Sequence, residues 1–393
     1  MKDQITNANT VAIIRKNGGG KAKRRFLLSG IEDVILCNNE GISDCEDVMT
    51  LNDVIKSMNM SYEHFTVFIL LPIHYHYQIL QQLNREIEDF SRIQIKYESD
   101  LNYIWTKTVK EREDIFDYSV VYSDFIDRWT NNLMSEVHFW EFESLTEGHR
   151  CFGEALERNK KEFFECNRIE LFEGCKVLDL GCGCLYKWGN VLNNGDYIPM
   201  DPLAHFYNHL YKNWKYANDL RKETVFGLFE FASAFCSEKV DYVLIDNAID
   251  HCIDPVKAIV EALKCLKIDG ILSIYTYEDE SINAMETGLH NWNLSLNSDN
   301  ELIIWNIDNF ANITKFLEDY VEYKVVEDDT WFHPAVGEHR TFAVNIKKKK
   351  ELPENFYAGK IEDLTIVLSS IMRLMTTENY YKDLKKVIDF KNQ

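Results

Sequence analysis

The chain has 393 residues, with 43 Lys and Arg against 64 Asp and Glu, and a formal net charge of −21. That balance speaks against a sequence-independent grip on DNA or RNA, which needs a basic face to displace phosphate counterions, so no nucleic-acid partner is expected. With 46% hydrophobic and 27% charged residues, and 23 Phe, 20 Tyr and 8 Trp, the composition excludes disorder for most of the chain and suggests two or three folded domains.

Residues 1–10 lack the apolar core of a signal peptide. The most apolar stretch, residues 65–73, is far shorter than the roughly 20 residues a membrane helix needs. The ten cysteines form no C-x-x-C pair, and no Cys/His set has zinc spacing. The expectation is a cytoplasmic protein with reduced thiols, no metal and no membrane insertion.

In chain order, residues 11–14, 34–37 and 67–71 read as short strands, and 50–58 and 75–90 as helices. The alternation predicts a small Rossmann-like α/β domain over residues 1–125 with a parallel sheet. Its glycine stretch, Gly18-Gly19-Gly20-Lys21, weakly resembles the first loop of nucleotide-binding domains in sugar-modifying enzymes. Cys37, however, stands where an acid would hold a ribose. The basic set Arg15, Lys16, Lys21, Lys23, Arg24 and Arg25 offers a place for a phosphate. A degenerate scaffold is the plainer reading.

A polar helical stretch at 148–168 precedes a second α/β run with strands at 176–180, 197–200, 224–228, 240–245 and 271–275. A helix over 255–266 starts at a proline and stops before Asp269-Gly270. Strands at 321–327 and 340–346 make a late pair, so the expected fold is a doubly wound sheet ending in a hairpin. After the lysine run at 347–350, residues 360–388 read as one or two amphipathic helices. These either brace the molecule or join two copies as a homo-oligomer.

The strongest signal is Val177-Leu178-Asp179-Leu180-Gly181-Cys182-Gly183. A buried strand leads into a glycine loop, where the backbone can approach a ligand and a following helix start offers unpaired N–H groups. Asp201, twenty residues after Gly181, ends the next strand, and a carboxylate there can accept from both hydroxyls of a ribose. The same geometry also binds nicotinamide and flavin nucleotides. Asp179 shifts the balance, because an acid beside the loop suits a ligand with a cationic end.

Asp179-Leu180-Gly181-Cys182-Gly183, Asp201, the run Val240 to Asn247, and Ile268-Asp269-Gly270 together resemble class I S-adenosylmethionine-dependent methyltransferases. Ser135-Glu136-Val137-His138-Phe139-Trp140, Asp201-Pro202-Leu203-Ala204, Asn247-Ala248-Ile249-Asp250-His251 and Gly288-Leu289-His290-Asn291-Trp292-Asn293 are similar to a bacterial subgroup sometimes encoded with surface-polysaccharide genes.

The resemblance spans residues 129–346. It implies a seven-stranded Rossmann-like sheet and a methyltransferase domain over 126–348, and the amphipathic stretch beyond it reads as a helical extension over 349–393. The resemblance also implies S-adenosyl-L-methionine as cofactor. Asp179 would then lie near the amino-acid end, Gly181 and Gly183 against the backbone, Asp201 and Pro202 at the ribose, Glu230 at the adenine, and Asn247 at the end of the fourth strand. By the same resemblance, residues 137–140 would fold over the cofactor.

A hydroxyl acceptor must lose a proton, and His251 and His290, each just past a strand end, are the candidate bases. Of Glu278, Asp279, Glu280 and Glu286, some are expected to be solvated and some to face the acceptor. The stretch 278–312, with Trp292, Trp305 and Phe310, is expected to be an ordered loop covering a sugar-like acceptor. Two other classes stay open. One is a non-catalytic nucleotide-binding protein on the same scaffold, and the other is an NAD-dependent sugar-modifying enzyme centred on the leading domain.

Overall fold

The computed structural model describes residues 10–15, 19–31, 33–38, 48–61, 63–71, 73–145, 172, 174–183, 197–213, 222–284, 288–333, 337–357 and 360–376. The helical reading of 148–168, Lys16 of the basic set, Glu286 and residues 377–393 lie outside them. The chain forms two compact units, Met1–Glu113 and Asp114–Gln393.

In the first unit the strands are β1 (Thr10–Ile13), β2 (Val34–Asn38), β3 (Met49–Thr50), β4 (Phe65–Ile69) and β5 (Ile93–Tyr97). They pair in parallel in the order β3-β2-β1-β4-β5. Val11, Ile13, Val67 and Ile69 are buried on one side of the sheet, packed with Leu51, Val54 and Leu83 from the helices. Ala12, Leu36 and Phe68 are buried with Phe26 and Leu101 in a second cluster. Such near-continuous apolar strands are what a sheet covered on both faces requires.

The second unit begins with the two-residue β6 (Phe116–Asp117) and the helix Tyr122–Leu145. Its main sheet contains β7 (Val177–Leu180), β8 (Tyr197–Asp201), β9 (Val225–Phe226), β10 (Val240–Asp246) and β11 (Leu266–Tyr277). A second, four-stranded sheet is made of β6 with β12 (Asn293–Leu296), β13 (Leu302–Trp305) and β14 (Phe310–Asn312). The long hairpin β15 (Val321–His333) and β16 (Gly337–Lys348) completes the main sheet. Seven strands run in the order β15-β16-β11-β10-β7-β8-β9. The pairs from β11 to β9 are parallel, and β16 runs antiparallel to β11.

The chain leaves β7 for β8 on one side and later fills β10 on the other. The β7/β10 boundary is therefore the switch point, where open α/β sheets leave a crevice at the strand ends. The helix Pro255–Cys265 starts as its sequence directs: the Asp254 carboxylate accepts from Lys257 N at 3.0 Å, with Pro255 at the first helical position.

Two expectations need correction. Residues 114–125 pack with the second unit, because β6 pairs with β14 and Tyr122 joins the core containing Trp129, Leu133 and Phe206. The stretch 278–312 is no open loop either. It folds into β12–β14, and Trp292, Trp305 and Phe310 are at most 1% exposed. Their apolar area belongs to the core, so none of them is available to cover a sugar ring. The helix Ile361–Met375 likewise buries Val367 and Ile371 in the core with Trp129.

Candidate functional site

A cavity of about 410 Å3 lies at the switch point of the second unit. Its wall brings together Gly181, Gly183, Asp201, Pro202, Glu230, Asn247, His251 and His290, eight of the nine residues singled out from sequence. They arrive from the end of β7, the end of β8, the turn before residue 232, the end of β10 and the segment after β11.

The glycines answer to different neighbours. A Cβ on Gly181, at φ 70°, would fall 2.5 Å from Phe229 Cζ and 2.6 Å from the Ala248 Cβ. The absence of a side chain there is thus demanded by the protein's own packing. On Gly183, at φ 60°, a Cβ would meet only the Trp140 ring at 3.4 Å. Asn247 also has positive φ, 49°, a conformation that Asn tolerates better than most side chains. Its N–H donates to Tyr275 O at 2.8 Å, which turns the chain as it leaves β10.

Asp201 is 6% exposed and accepts from Leu203 N at 2.8 Å and Gly183 N at 3.3 Å. Burial pushes its carboxyl up to about 7, against the pull of those two amides, with Glu136 adding to the rise. Glu230 is also pushed up to about 7 by burial. Its Oε1 accepts from Ile253 N at 2.7 Å and Asp254 N at 3.2 Å. That oxygen therefore braces the loop following His251, while Glu230 also lines the cavity.

Asp179 is absent from the cavity wall. It is 2% exposed and takes a hydrogen bond from the Tyr197 hydroxyl. Inside a buried strand a carboxylate needs such a donor. Its placement near the amino-acid end of a ligand is accordingly corrected.

The two histidines meet, and a third residue joins them. His290 Nδ1 lies 2.7 Å from Asp250 Oδ2 and 3.3 Å from His251 Nε2, and His251 Nε2 is 3.7 Å from Asp250 Oδ2. The rings stand edge to face with centroids 4.7 Å apart. Burial alone would raise Asp250, but the facing His251 and His290 hold it below the ordinary carboxylate value. Burial alone would lower His290, but Asp250, Glu280 and Glu136 raise it above the ordinary imidazole value. Glu280, on the same wall, is pushed up to about 7 by burial, with Asp250 adding to the rise against His290.

Sequence reasoning assigned no role to Asp250, although it stands beside His251. The pairing that reveals it spans 40 residues, Asp250 to His290. It also missed Trp129, Glu136 and Tyr207 on the wall. Trp129 acts at the backbone: its indole donates to His251 O at 2.8 Å, while Trp292 donates to Cys252 O at 3.0 Å. Phe139 and Trp140 also face the cavity. Of the neighbouring acids, Glu278 is held by Arg340 at 3.0 Å and Asp279 by the Ser295 hydroxyl, so both are structural.

Among the described residues Cys37, Cys175, Cys182, Cys236, Cys252 and Cys265 are free thiols. No described helix is long and apolar enough to cross a membrane.

No family model matches this chain, and no curated protein matches it. Among solved structures it is similar to the N-methyltransferase NodS from Bradyrhizobium japonicum WM9 in complex with S-adenosyl-L-homocysteine. That likeness has 12% identity and a TM-score of 0.36, covering 55% of this chain and 99% of that one. It is also similar to a SAM-dependent methyltransferase, possible histamine N-methyltransferase, from Thermotoga maritima, at 16% identity and TM-score 0.35, covering 53% and 98%. A third is an O-methyltransferase family protein from Burkholderia thailandensis, at 14% identity and TM-score 0.32, covering 51% of this chain and 59% of that one.

Proposed function

We propose that this chain binds S-adenosylmethionine in the second unit's cavity and is a methyltransferase. Its acceptor is a small molecule, first of all a sugar-like or nucleotide-linked hydroxyl compound. The observation that supports the reading is the convergence on one wall of the Gly181–Gly183 turn, the Asp201 carboxylate and the His251/His290 pair. In this reading Asp201 accepts from the ribose hydroxyls, the Gly183 backbone and Pro202 pack against the cofactor, and Asn247 closes the floor.

Methyl transfer from a sulfonium releases a neutral thioether, so departure needs no acid. Holding sulfur, methyl and acceptor in line can supply about 7–11 kcal/mol of the barrier lowering. The acceptor's reacting atom docks against His251 and His290, which relieve a hydroxyl of its proton. Glu230 and Trp129 serve that end indirectly, by fixing the backbone on either side of Cys252.

One observation favours an amine acceptor as the second reading. The wall carries Glu136, Asp246 and Glu280 and, among the described residues, no Lys or Arg. Such a lining attracts a cation. The deciding experiment offers methyl-labelled S-adenosylmethionine with a panel of nucleotide sugars and a panel of small amines. Label in a nucleotide sugar supports the first reading, and label in an amine supports the second. No transfer to either, with the cofactor bound, returns the chain to a non-catalytic binding protein.

A further inference from the structure

We propose that Asp250, His251 and His290 form a binding site for one divalent first-row transition-metal ion. The inference rests on the functional reading above only for the use to which the ion is put. The site itself stands on geometry. Asp250 Oδ2, His251 Nε2 and His290 Nδ1 are the corners of a triangle with edges of 2.7, 3.3 and 3.7 Å. An ion can stand about 2.1 Å from all three corners of such a triangle, the ordinary distance for imidazole nitrogen and carboxylate oxygen on zinc and its neighbours. Two imidazoles and one carboxylate suit those ions better than magnesium or calcium, which prefer an all-oxygen shell.

A second observation points to an absent partner. Asp250 is fully buried, and its Oδ1 has no hydrogen-bond partner. A buried carboxylate with one oxygen left without a donor is costly, and a cation on Oδ2 would offset the charge that the two oxygens share. The ligand backbones are also held in advance. Trp129 Nε1 binds His251 O at 2.8 Å, Asn291 N binds Asp250 O at 3.2 Å, and Ser281 Oγ binds His290 O at 3.1 Å. Pre-set supports of this kind orient metal ligands and conserve affinity.

Three protein ligands leave at least one position of the ion open, and His251 and His290 both face the cavity. An acceptor hydroxyl bound there loses its O–H proton to solvent more readily, because the cation stabilises the oxyanion. The oxygen then forms a bond to the methyl carbon while the carbon–sulfur bond breaks and its electron pair stays on sulfur. With the ion in place the imidazoles are ligands, and the ion does the acidifying. The sequence conceals the site because its ligands come from two segments with no motif spacing.

The test uses the full-length protein, stripped with chelator and titrated with Zn2+, Co2+ and Mn2+ alone. One ion per chain is expected, with a visible Co2+ absorption band of N/O ligation and a rise in melting temperature. His290→Ala and Asp250→Asn should each weaken binding at least tenfold. Circular dichroism checks that each variant folds, and His251→Gln supplies an independent variant. No stoichiometric binding overturns the proposal, as does binding unchanged in folded His251→Gln and His290→Ala proteins. A parallel titration with S-adenosylhomocysteine separates the two readings. Ion binding without nucleoside binding removes the methyltransferase reading alone, and the reverse removes the metal site alone.

Discussion

The leading sheet and the five parallel strands at the heart of the second sheet follow the same order, yet the ends of their strands are put to different uses. At the end of β8, Asp201 opens onto a cavity as a carboxylate. At the corresponding end of β2 stands Asn38, preceded by the fully buried Cys37, whose thiol is pushed up to about 12 by burial. Neither a neutral amide nor a neutral thiol offers ribose hydroxyls the charged pair of acceptor oxygens that a carboxylate does.

The basic side chains after β1 tell the same story. Arg25 is 7% exposed and committed to Glu98 at 2.8 Å, to Asn102 and to the Trp105 face at 5.3 Å. It is a structural cation, and the phosphate reading of the basic set loses it. Shared topology places a crevice, but the residue at each strand end decides whether a ligand is held there.

The largest break in this comparison is expected from the glycines. Gly181→Ala combines a left-handed backbone with contacts of 2.5 and 2.6 Å. It should cost about 2–5 kcal/mol in denaturant unfolding of the second unit. Gly30→Ala in the first unit has the same positive φ but nothing within 4 Å of the added Cβ, so about 1–2 kcal/mol is expected. Equal losses would show that crowding at Gly181 counts for nothing.

Next in size, Arg25→Ala should destabilise the first unit by about 1–3 kcal/mol and leave nucleoside binding unchanged. A lost ligand affinity in that variant would restore the anion-site reading.

A smaller effect follows from Asp201. Its carboxyl, held near 7 in the free protein, accepts ribose hydroxyls in its charged form. Affinity for S-adenosylhomocysteine should therefore rise from pH 6 to pH 8, by at most about tenfold per unit below 7, and flatten above. Calorimetry on Asp201→Asn gives the control, in which that slope is reduced. The same shift carries a stability cost. A carboxyl raised in the folded state binds a proton the unfolded chain has released, so its contribution to stability falls as pH rises from about 4 to 7. The smallest effect is Trp129→Phe, which removes one hydrogen bond to His251 O and should cost about 0.5–1.5 kcal/mol of stability. Turnover should fall more than that if the loop's position matters.

Most of this site was legible in local sequence, for physical reasons. The β7 strand, its glycine turn and Asp201 lie within 25 residues and rest on backbone rules that composition expresses directly. Asp179 misled because its chemistry was read from its spacing to the glycines, when it lies in a buried strand and takes a hydrogen bond from Tyr197. Trp292 and Trp305 misled because an aromatic in a segment without clear periodicity looks the same whether it covers a ligand or fills a core. Their indoles donate to Cys252 O, 40 residues away, and to Ser295 Oγ across the β12–β13 hairpin, pairings that no local pattern announces. Asp250 was hidden in the same way, since its role exists only when His290 returns 40 residues later.

The account's central claim is that the second unit's cavity takes an adenosyl ligand through Asp201. Titration calorimetry of the full chain with S-adenosylhomocysteine, alongside Asp201→Ala and Cys37→Ala, tests it directly. One ligand per chain is expected, weakened by about 1.5–3 kcal/mol in Asp201→Ala and unchanged in Cys37→Ala. No binding, binding indifferent to Asp201, or binding of NAD alone that Cys37→Ala abolishes would contradict it.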